Sequence, residues 1–200
     1  MKIYIISTTF TSIDLIKCLD KKIKIKGLIG LKSEERKKQN ISGFSNLEQI
    51  AKKRSLEYIE LSNYSLKSDI DRKKIFNIDI DYLIIAGWQR LIPQWFIDHV
   101  NYSVIGCHGS SQGITKGRGR SPQNWSIILG EKSFYLSIFE VDSGVDSGRV
   151  IDTRKFNYSK YDNIKSSYYK TTIIYAEMLN DFFVNLKSKR KNFKKQDLKK

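Results

Sequence analysis

MKIYIISTTFTSIDLIKCLDKKIKIKGLIG, residues 1–30, holds the fold in outline. Ile3–Ser7 is a short β-branched run, Ser12–Leu19 places its apolar residues at helical spacing, and Lys24–Gly30 is β-branched again. A strand, a helix and a strand follow one another within thirty residues. The alternation continues outward from that unit. Glu57–Leu61, Asp81–Ala86 and Ser103–Cys107 read as further strands, and Leu47–Arg54, Leu66–Phe76 and Gln94–Val100 as helices between them. This repetition predicts an α/β fold, a mostly parallel sheet flanked by helices in a single domain. Ser12 and Ser45 are the expected N-caps of the first helix and of the helix near Leu47, because a hydroxyl can accept from an unpaired first-turn amide.

The second half changes character. His108–Arg120 is rich in Gly, Ser, Lys and Arg with no apolar period, and reads as an exposed loop. Ser121-Pro122 opens a helix, with proline where its missing N–H costs nothing. Trp125, Ile128 and Leu129 give that helix an apolar face, and Trp88, Trp95 and Trp125 are expected in the core. Phe134–Val141 and Arg149–Tyr158 alternate like strands around the polar loop Asp142–Gly148, and a long helix from about Ile164 to Lys187 closes the domain. Residues 1–186 form the expected domain and 187–200 a basic tail.

Composition narrows the class. The chain has 200 residues, 40% hydrophobic and 12% aromatic, enough for a packed core. No stretch approaches the roughly 18 consecutive apolar residues of a membrane span, and the first ten residues turn polar too soon for a signal peptide. Cys18 and Cys107 fall in a helix and a strand, so no disulfide framework is expected and the cytoplasm is the natural compartment. Two cysteines and two scattered histidines give no metal-ligand spacing, and no metal is expected. The net charge is +15, and the 187–200 tail holds eight of the 36 Lys/Arg against one Asp. Such a run is ordinarily a solvated end; its functional reading is attraction to phosphorylated partners.

Ligands of open α/β sheets bind at the carboxyl ends of strands. Three segments leave such ends carrying unusual residues: Ala86–Pro93, Gly106-Cys107-His108-Gly109-Ser110, and Asp142-Ser143-Gly144-Val145-Asp146-Ser147-Gly148. Each is weak alone, since a lone histidine after a strand is usually structural and Asp and Gly are common turn residues. The Asp-Gly loop does not fit a calcium site, which needs Asp or Asn at its third position.

In this order, the three segments resemble the folate-dependent N-formyltransferase family, strongly over Tyr82–Ile151 and in pattern before it. The resemblance rests on Gly106-Cys107-His108, Arg118-Gly119, Pro122 and Asp142–Gly148. It implies a Rossmann-like formyltransferase fold and transfer of a formyl group from 10-formyltetrahydrofolate, as co-substrate, to a primary amine. His108 would serve as acid/base and donor to the oxyanion. Asp146 would orient the ring and favour its charged form. Folate would be held largely by the backbone of two loops, Gln89, Arg90, Leu91 and Ile92, and Asp142, Ser143, Gly144 and Val145. Ser110, Arg118 and Arg120 are candidates for the amine substrate, the two arginines as an anion clamp. That same basic loop could instead meet the glutamate tail of folate.

The sequence departs from the family at Gly106, where the pattern has an asparagine that donates to the oxyanion. Ser110, Ser111 or Asn124 could supply the donor, a backbone N–H could, or the activity could be lost. The turn Ser7–Ser12 lacks the glycine-rich phosphate cradle of members acting on ribonucleotide amines. Transfer-RNA formylation leans on a further C-terminal domain, and the chain ends after its closing helix. A nucleotide-linked amino sugar or other small amine is therefore the first expectation. Formylation of aminoacyl-tRNA, or an impaired module with a basic nucleic-acid-binding surface, is the alternative. No membrane partner is expected, and a homodimer is compatible with the sequence.

Overall fold

β1 (Ile3–Ile6) is buried along its whole length, all four residues at 2% exposure or less. A continuous apolar run of this kind marks a strand covered on both faces. The computed structural model, which describes residues 1–19, 23–117 and 121–186, places β1 inside a seven-stranded sheet. The elements in chain order are β1, α1 (Thr11–Cys18), β2 (Ile25–Leu31), α2 (Glu35–Gln39), α3 (Glu48–Lys53), β3 (Glu57–Leu61), α4 (Asp69–Phe76), β4 (Tyr82–Ile85), α5 (Gln94–His99), β5 (Ser103–Ser110), α6 (Pro122–Ile128), β6 (Ser133–Glu140), β7 (Val150–Asn157) and α7 (Ile164–Val184). The strand order is β3-β2-β1-β4-β5-β6-β7, so the α/β class with a mostly parallel sheet holds.

The chain divides into two compact units. The first comprises residues 1–17 and 24–105. Its strand pairs β1–β2, β1–β4, β2–β3 and β4–β5 are all parallel, with Ile3↔Tyr82 through Ile6↔Ile85 in straight register. Ile5, Ile6, Leu28, Ile29, Leu83 and Ile84 are fully buried in it. The loop after β3 is tied down by buried Asp71 of α4, whose carboxylate accepts from Ser62 N, Ser62 Oγ and Asn63 N at 2.7–3.2 Å. Ser68 caps α4.

The second unit carries Gly106 onward. β6 and β7 form an antiparallel pair from Ser133↔Asn157 to Phe139↔Val150. α7 starts at a capping box, with the Asn163 side chain accepting from Lys165 N and Ser166 N and the Ser166 hydroxyl accepting from Asn163 N. Its inner face buries Tyr175, Ala176, Met178, Leu179, Phe182 and Phe183. Asp162 before it is held well below the usual carboxylate range, first by the hydrogen bond from Lys170, then by Ser159 N and the Ser166 hydroxyl.

Several local expectations are corrected. Ser12 lies inside α1 and donates its hydroxyl to Thr9 O at 2.7 Å, so it does not cap. The α3 start is held by Asn46, whose Oδ1 accepts from Glu48 N, while Ser45 gives its amide to Thr8 O. α6 is turned inside out. Gln123 on its inner side donates to Ser167 and Thr171 of α7, and Trp125, Ile128 and Leu129 are 57–68% exposed. The 187–200 tail and the boundary drawn at 186 with it lie outside the described residues.

Candidate active site

β5 runs three residues further than its β-branched content predicts. His108, Gly109 and Ser110 continue the strand instead of opening an exposed loop, and Gly109 and Ser110 are buried. A strand alternates its side chains, so Gly106, His108 and Ser110 share one face. Gly109, on the other face, allows the Phe134 ring to approach within 2.3 Å of where a Cβ would stand. The position of His108 is therefore set by the sheet, not by a mobile turn.

The loop after β6 brings a carboxylate to that histidine. Asp146 Oδ2 stands 3.2 Å from His108 Nδ1, with the imidazole only 10% exposed. The loop is built to do this. Asp142 Oδ1 accepts from Gly144 N at 3.0 Å and from Ser147 Oγ at 2.6 Å, closing the turn on itself. Asp146 adopts a left-handed backbone, φ 49°, which Asp tolerates better than most residues. Gly148 passes so close to β6 that a Cβ would lie 1.6 Å from Glu140 O. On the other side of the ring, His108 Nε2 is 2.8 Å from Gly117 O. The ring is thus held between two oxygen atoms, the Asp146 carboxylate at Nδ1 and the Gly117 carbonyl at Nε2.

Cys107 lies between Gly106 and His108 but points to the opposite face. Burial pushes its thiol far above the usual range, and the Asp146 charge adds to this. It is a poor nucleophile by that measure. Gly106 is sterically required: a Cβ there would stand 2.8 Å from Val141 Cγ2 and 2.9 Å from Phe139 Cζ. Two hydrocarbon groups occupy the space a longer side chain would need. Among the described residues, no group of three or more His, Cys, Asp or Glu could hold a metal ion.

In the first unit, the loop after β4 shows a second concentration of features. Gln89 N donates to Tyr64 OH at 3.0 Å, and the Arg90 guanidinium lies 4.8 Å over the Tyr64 ring. Trp88 is 5% exposed, meets Tyr64 edge-on at 4.9 Å, and has a buried Nε1 with no hydrogen-bond partner among the described residues. Ile92 is core at 5% exposure, whereas Leu91 is 61% exposed. Leu91 lines an open groove of about 550 Å³ with Leu66, Lys67, Arg72, Arg90 and Trp95. Sequence reasoning named Arg90 and Leu91 but missed Lys67 and Arg72. Lys67 lies in the loop after β3, another carboxyl end of a parallel strand, and Arg72 on α4, which follows that loop.

Among the other candidates, Ser143, Gly144 and Val145 are exposed at the tip of the Asp142–Gly148 loop. Ser110 is 2% exposed. Arg118 and Arg120 lie outside the described residues. His99 Nε2 meets Ile78 O at 2.8 Å, a structural contact.

A profile of the formyl transferase family matches residues 1–174. The methionyl-tRNA formyltransferase of Wolbachia pipientis subsp. Culex pipiens (strain wPip) is 30% identical over 115 residues, 58% of this chain and 38% of that protein. The chain thus matches well under half the length of that curated relative. The phosphoribosylglycinamide formyltransferase from Bacillus halodurans superposes with a TM-score of 0.70 at 16% identity, covering 94% of this chain and 96% of that one. A sugar 3N-formyl transferase solved in the presence of dTDP and 5-N-formyl-THF gives 0.66 at 15% identity, covering 98% and 66%. At such identities these two share the fold. No helix among the described residues is long and apolar enough to cross a membrane.

Proposed function

Because the chain belongs to the formyl transferase family, we propose that it moves a formyl group from 10-formyltetrahydrofolate to a small primary amine, with His108 and Asp146 at the reacting atoms. The observation that carries this is the 3.2 Å approach of the Asp146 carboxylate to His108 Nδ1. The amine nitrogen adds to the formyl carbon, and the carbonyl electron pair moves onto oxygen. His108 Nε2–H donates to that oxyanion. Collapse breaks the bond to N10 of the folate, and the proton lost by the amine reaches N10 through the imidazole. Asp146 holds the ring in orientation and balances its charge.

The folate fits what this chain offers. The family resemblance implies folate-holding roles for the backbone of Gln89–Ile92 and, in the second unit, for that of Asp142–Val145. The groove beside Leu91, with Lys67, Arg72 and Arg90 on its wall, suits the carboxylates of a glutamate tail. Arg118 and Arg120 keep their proposed role as an anion clamp for the amine substrate.

The turn after β1 argues about the acceptor. Thr9 N is taken by Ser7 Oγ, Phe10 N by Gly43 O and Ser45 N by Thr8 O. Ser7, Thr8 and Thr9 are all buried. The turn is filled by its own side chains and the returning 43–45 segment, not shaped as a phosphate cradle. This supports a nucleotide-linked amino sugar over a ribonucleotide amine. Formylation of aminoacyl-tRNA is the second reading, favoured by the names of the curated relatives.

The test is a screen with 10-formyltetrahydrofolate and three acceptors: a nucleotide-linked amino sugar, glycinamide ribonucleotide and methionyl-tRNA. Turnover is expected with the amino sugar. Exclusive turnover of methionyl-tRNA selects the second reading. Unreactive 5-formyltetrahydrofolate should raise the melting temperature in a concentration-dependent way; no shift at millimolar ligand, with no turnover, ends the proposal.

A further inference from the structure

Three side-chain positions of β5 share the face that carries His108: 106, 108 and 110. The first is closed to any donor, because Val141 and Phe139 fill the space beside Gly106. The second is the imidazole. The third is Ser110, 98% buried by its 2% exposure. Its Oγ accepts from Gln112 N at 2.9 Å. Its own proton has no acceptor among the described residues. A buried hydroxyl that accepts without donating gives up a hydrogen bond worth about 0.5–1.5 kcal/mol, and such a group calls for an explanation.

Gly117 supplies the geometric clue. Its carbonyl oxygen takes His108 Nε2 at 2.8 Å. Its Cα lies against Ser110, so that a Cβ would fall 1.5 Å from Ser110 Oγ. One residue's backbone therefore covers both the imidazole and the hydroxyl. A carbonyl oxygen at Nε2 is chemically what a formyl oxygen would be there.

We propose that Ser110 is a second catalytic donor to the formyl oxygen, supplying from position 110 what position 106 cannot, and that the formyl oxygen takes the place now held by the Gly117 carbonyl. The inference rests on the formyl-transfer reading. In the step, the nucleophile's lone pair adds to the formyl carbon and the carbonyl π pair moves to oxygen. That oxygen accepts from His108 Nε2–H and Ser110 Oγ–H. When the bond to N10 breaks, the pair returns to the carbonyl. Ser110 keeps its proton throughout, so it needs no base of its own.

The test uses water as acceptor, so the amine need not be known: 10-formyltetrahydrofolate plus water gives formate and tetrahydrofolate. Ser110→Ala is expected to lower kcat about 10²–10³-fold, the usual loss of one oxyanion donor. KM for the donor and the affinity for 5-formyltetrahydrofolate should stay within twofold. Ser110→Cys, close in size and a weak donor, serves if the alanine variant fails to fold, and should lose at least tenfold in kcat. Ser110→Ala keeping more than a third of wild-type kcat, or a loss confined to KM, overturns the role of Ser110. If His108→Ala is then inactive, the formyl-transfer reading survives. A wild-type chain that cleaves the donor with neither water nor any amine overturns both.

Discussion

Gly106→Ala tests how far the site has been rebuilt around glycine. The new methyl would stand 2.8 Å from Val141 Cγ2 and 2.9 Å from Phe139 Cζ, against an optimal carbon–carbon separation of about 3.5–4.0 Å. Both neighbours must therefore give by roughly 0.6–1.2 Å. Phe139 is 4% exposed in the core, so the strain cannot all be relieved by turning it outward. Overpacking of this kind costs about 1–3 kcal/mol. For a chain of this size the melting temperature should fall by about 2–12 °C. Val141→Ala removes one of the two contacts, so Gly106→Ala should cost measurably less in that background. Thermal unfolding of the four proteins gives the coupling directly. A Gly106→Ala variant that melts within 1 °C of wild type, or equal costs in both backgrounds, refutes the reasoning. Gly106→Asn, with a longer side chain in the same space, should lose more stability than alanine and should regain it only in part with Val141→Ala.

Gly148→Ala faces backbone and not a side chain, since its Cβ would meet Glu140 O at 1.6 Å. It should destabilise by more than about 3 kcal/mol and displace Asp146, read as loss of soluble protein or of all turnover; a variant with wild-type melting would contradict the loop geometry. Asp162 has its folded pKa depressed by Lys170 and the Ser159 and Ser166 donors. A depressed carboxylate contributes stability above its unfolded pKa of about 3.9 and loses it as pH falls below that value. Asp162→Asn should therefore lower stability at pH 7 and flatten its fall below pH 4; an unchanged acid-unfolding curve would count against this. With Cys18 exposed, and Cys107 half-buried with its thiol pushed up by burial, iodoacetamide at pH 8 should alkylate Cys18 markedly faster than Cys107. Mass spectrometry showing both modified at similar rates would contradict the packing around β5.

What the sequence made legible is what periodicity controls. β1 through β4, with α1, α3 and α4, follow from apolar patterning, clearest in runs such as Ile3–Ile6 and Tyr82–Ile85, because only burial on both faces accounts for such runs. The meeting of His108 and Asp146 was legible through the order of motifs, not from either residue alone. Elements that depend on tertiary context escaped. α2 has the sequence Glu-Arg-Lys-Lys-Gln, which carries no apolar stripe to announce a helix. The last three residues of β5 lack β-branched side chains, so the strand looked finished at Cys107. α6 has an amphipathic pattern that reads as a core face, yet Gln123 is drawn inward by Ser167 and Thr171 of α7. Gly106 was visible as a departure, but its cause, Phe139 and Val141 on the neighbouring segment, was not.

Turnover of 10-formyltetrahydrofolate with the best acceptor, compared among wild type, His108→Ala and Asp146→Ala, tests the central claim most directly. The His108 variant should fall by about 10²–10⁴-fold and the Asp146 variant steeply as well, both still binding 5-formyltetrahydrofolate. Equal turnover in all three proteins would contradict the account.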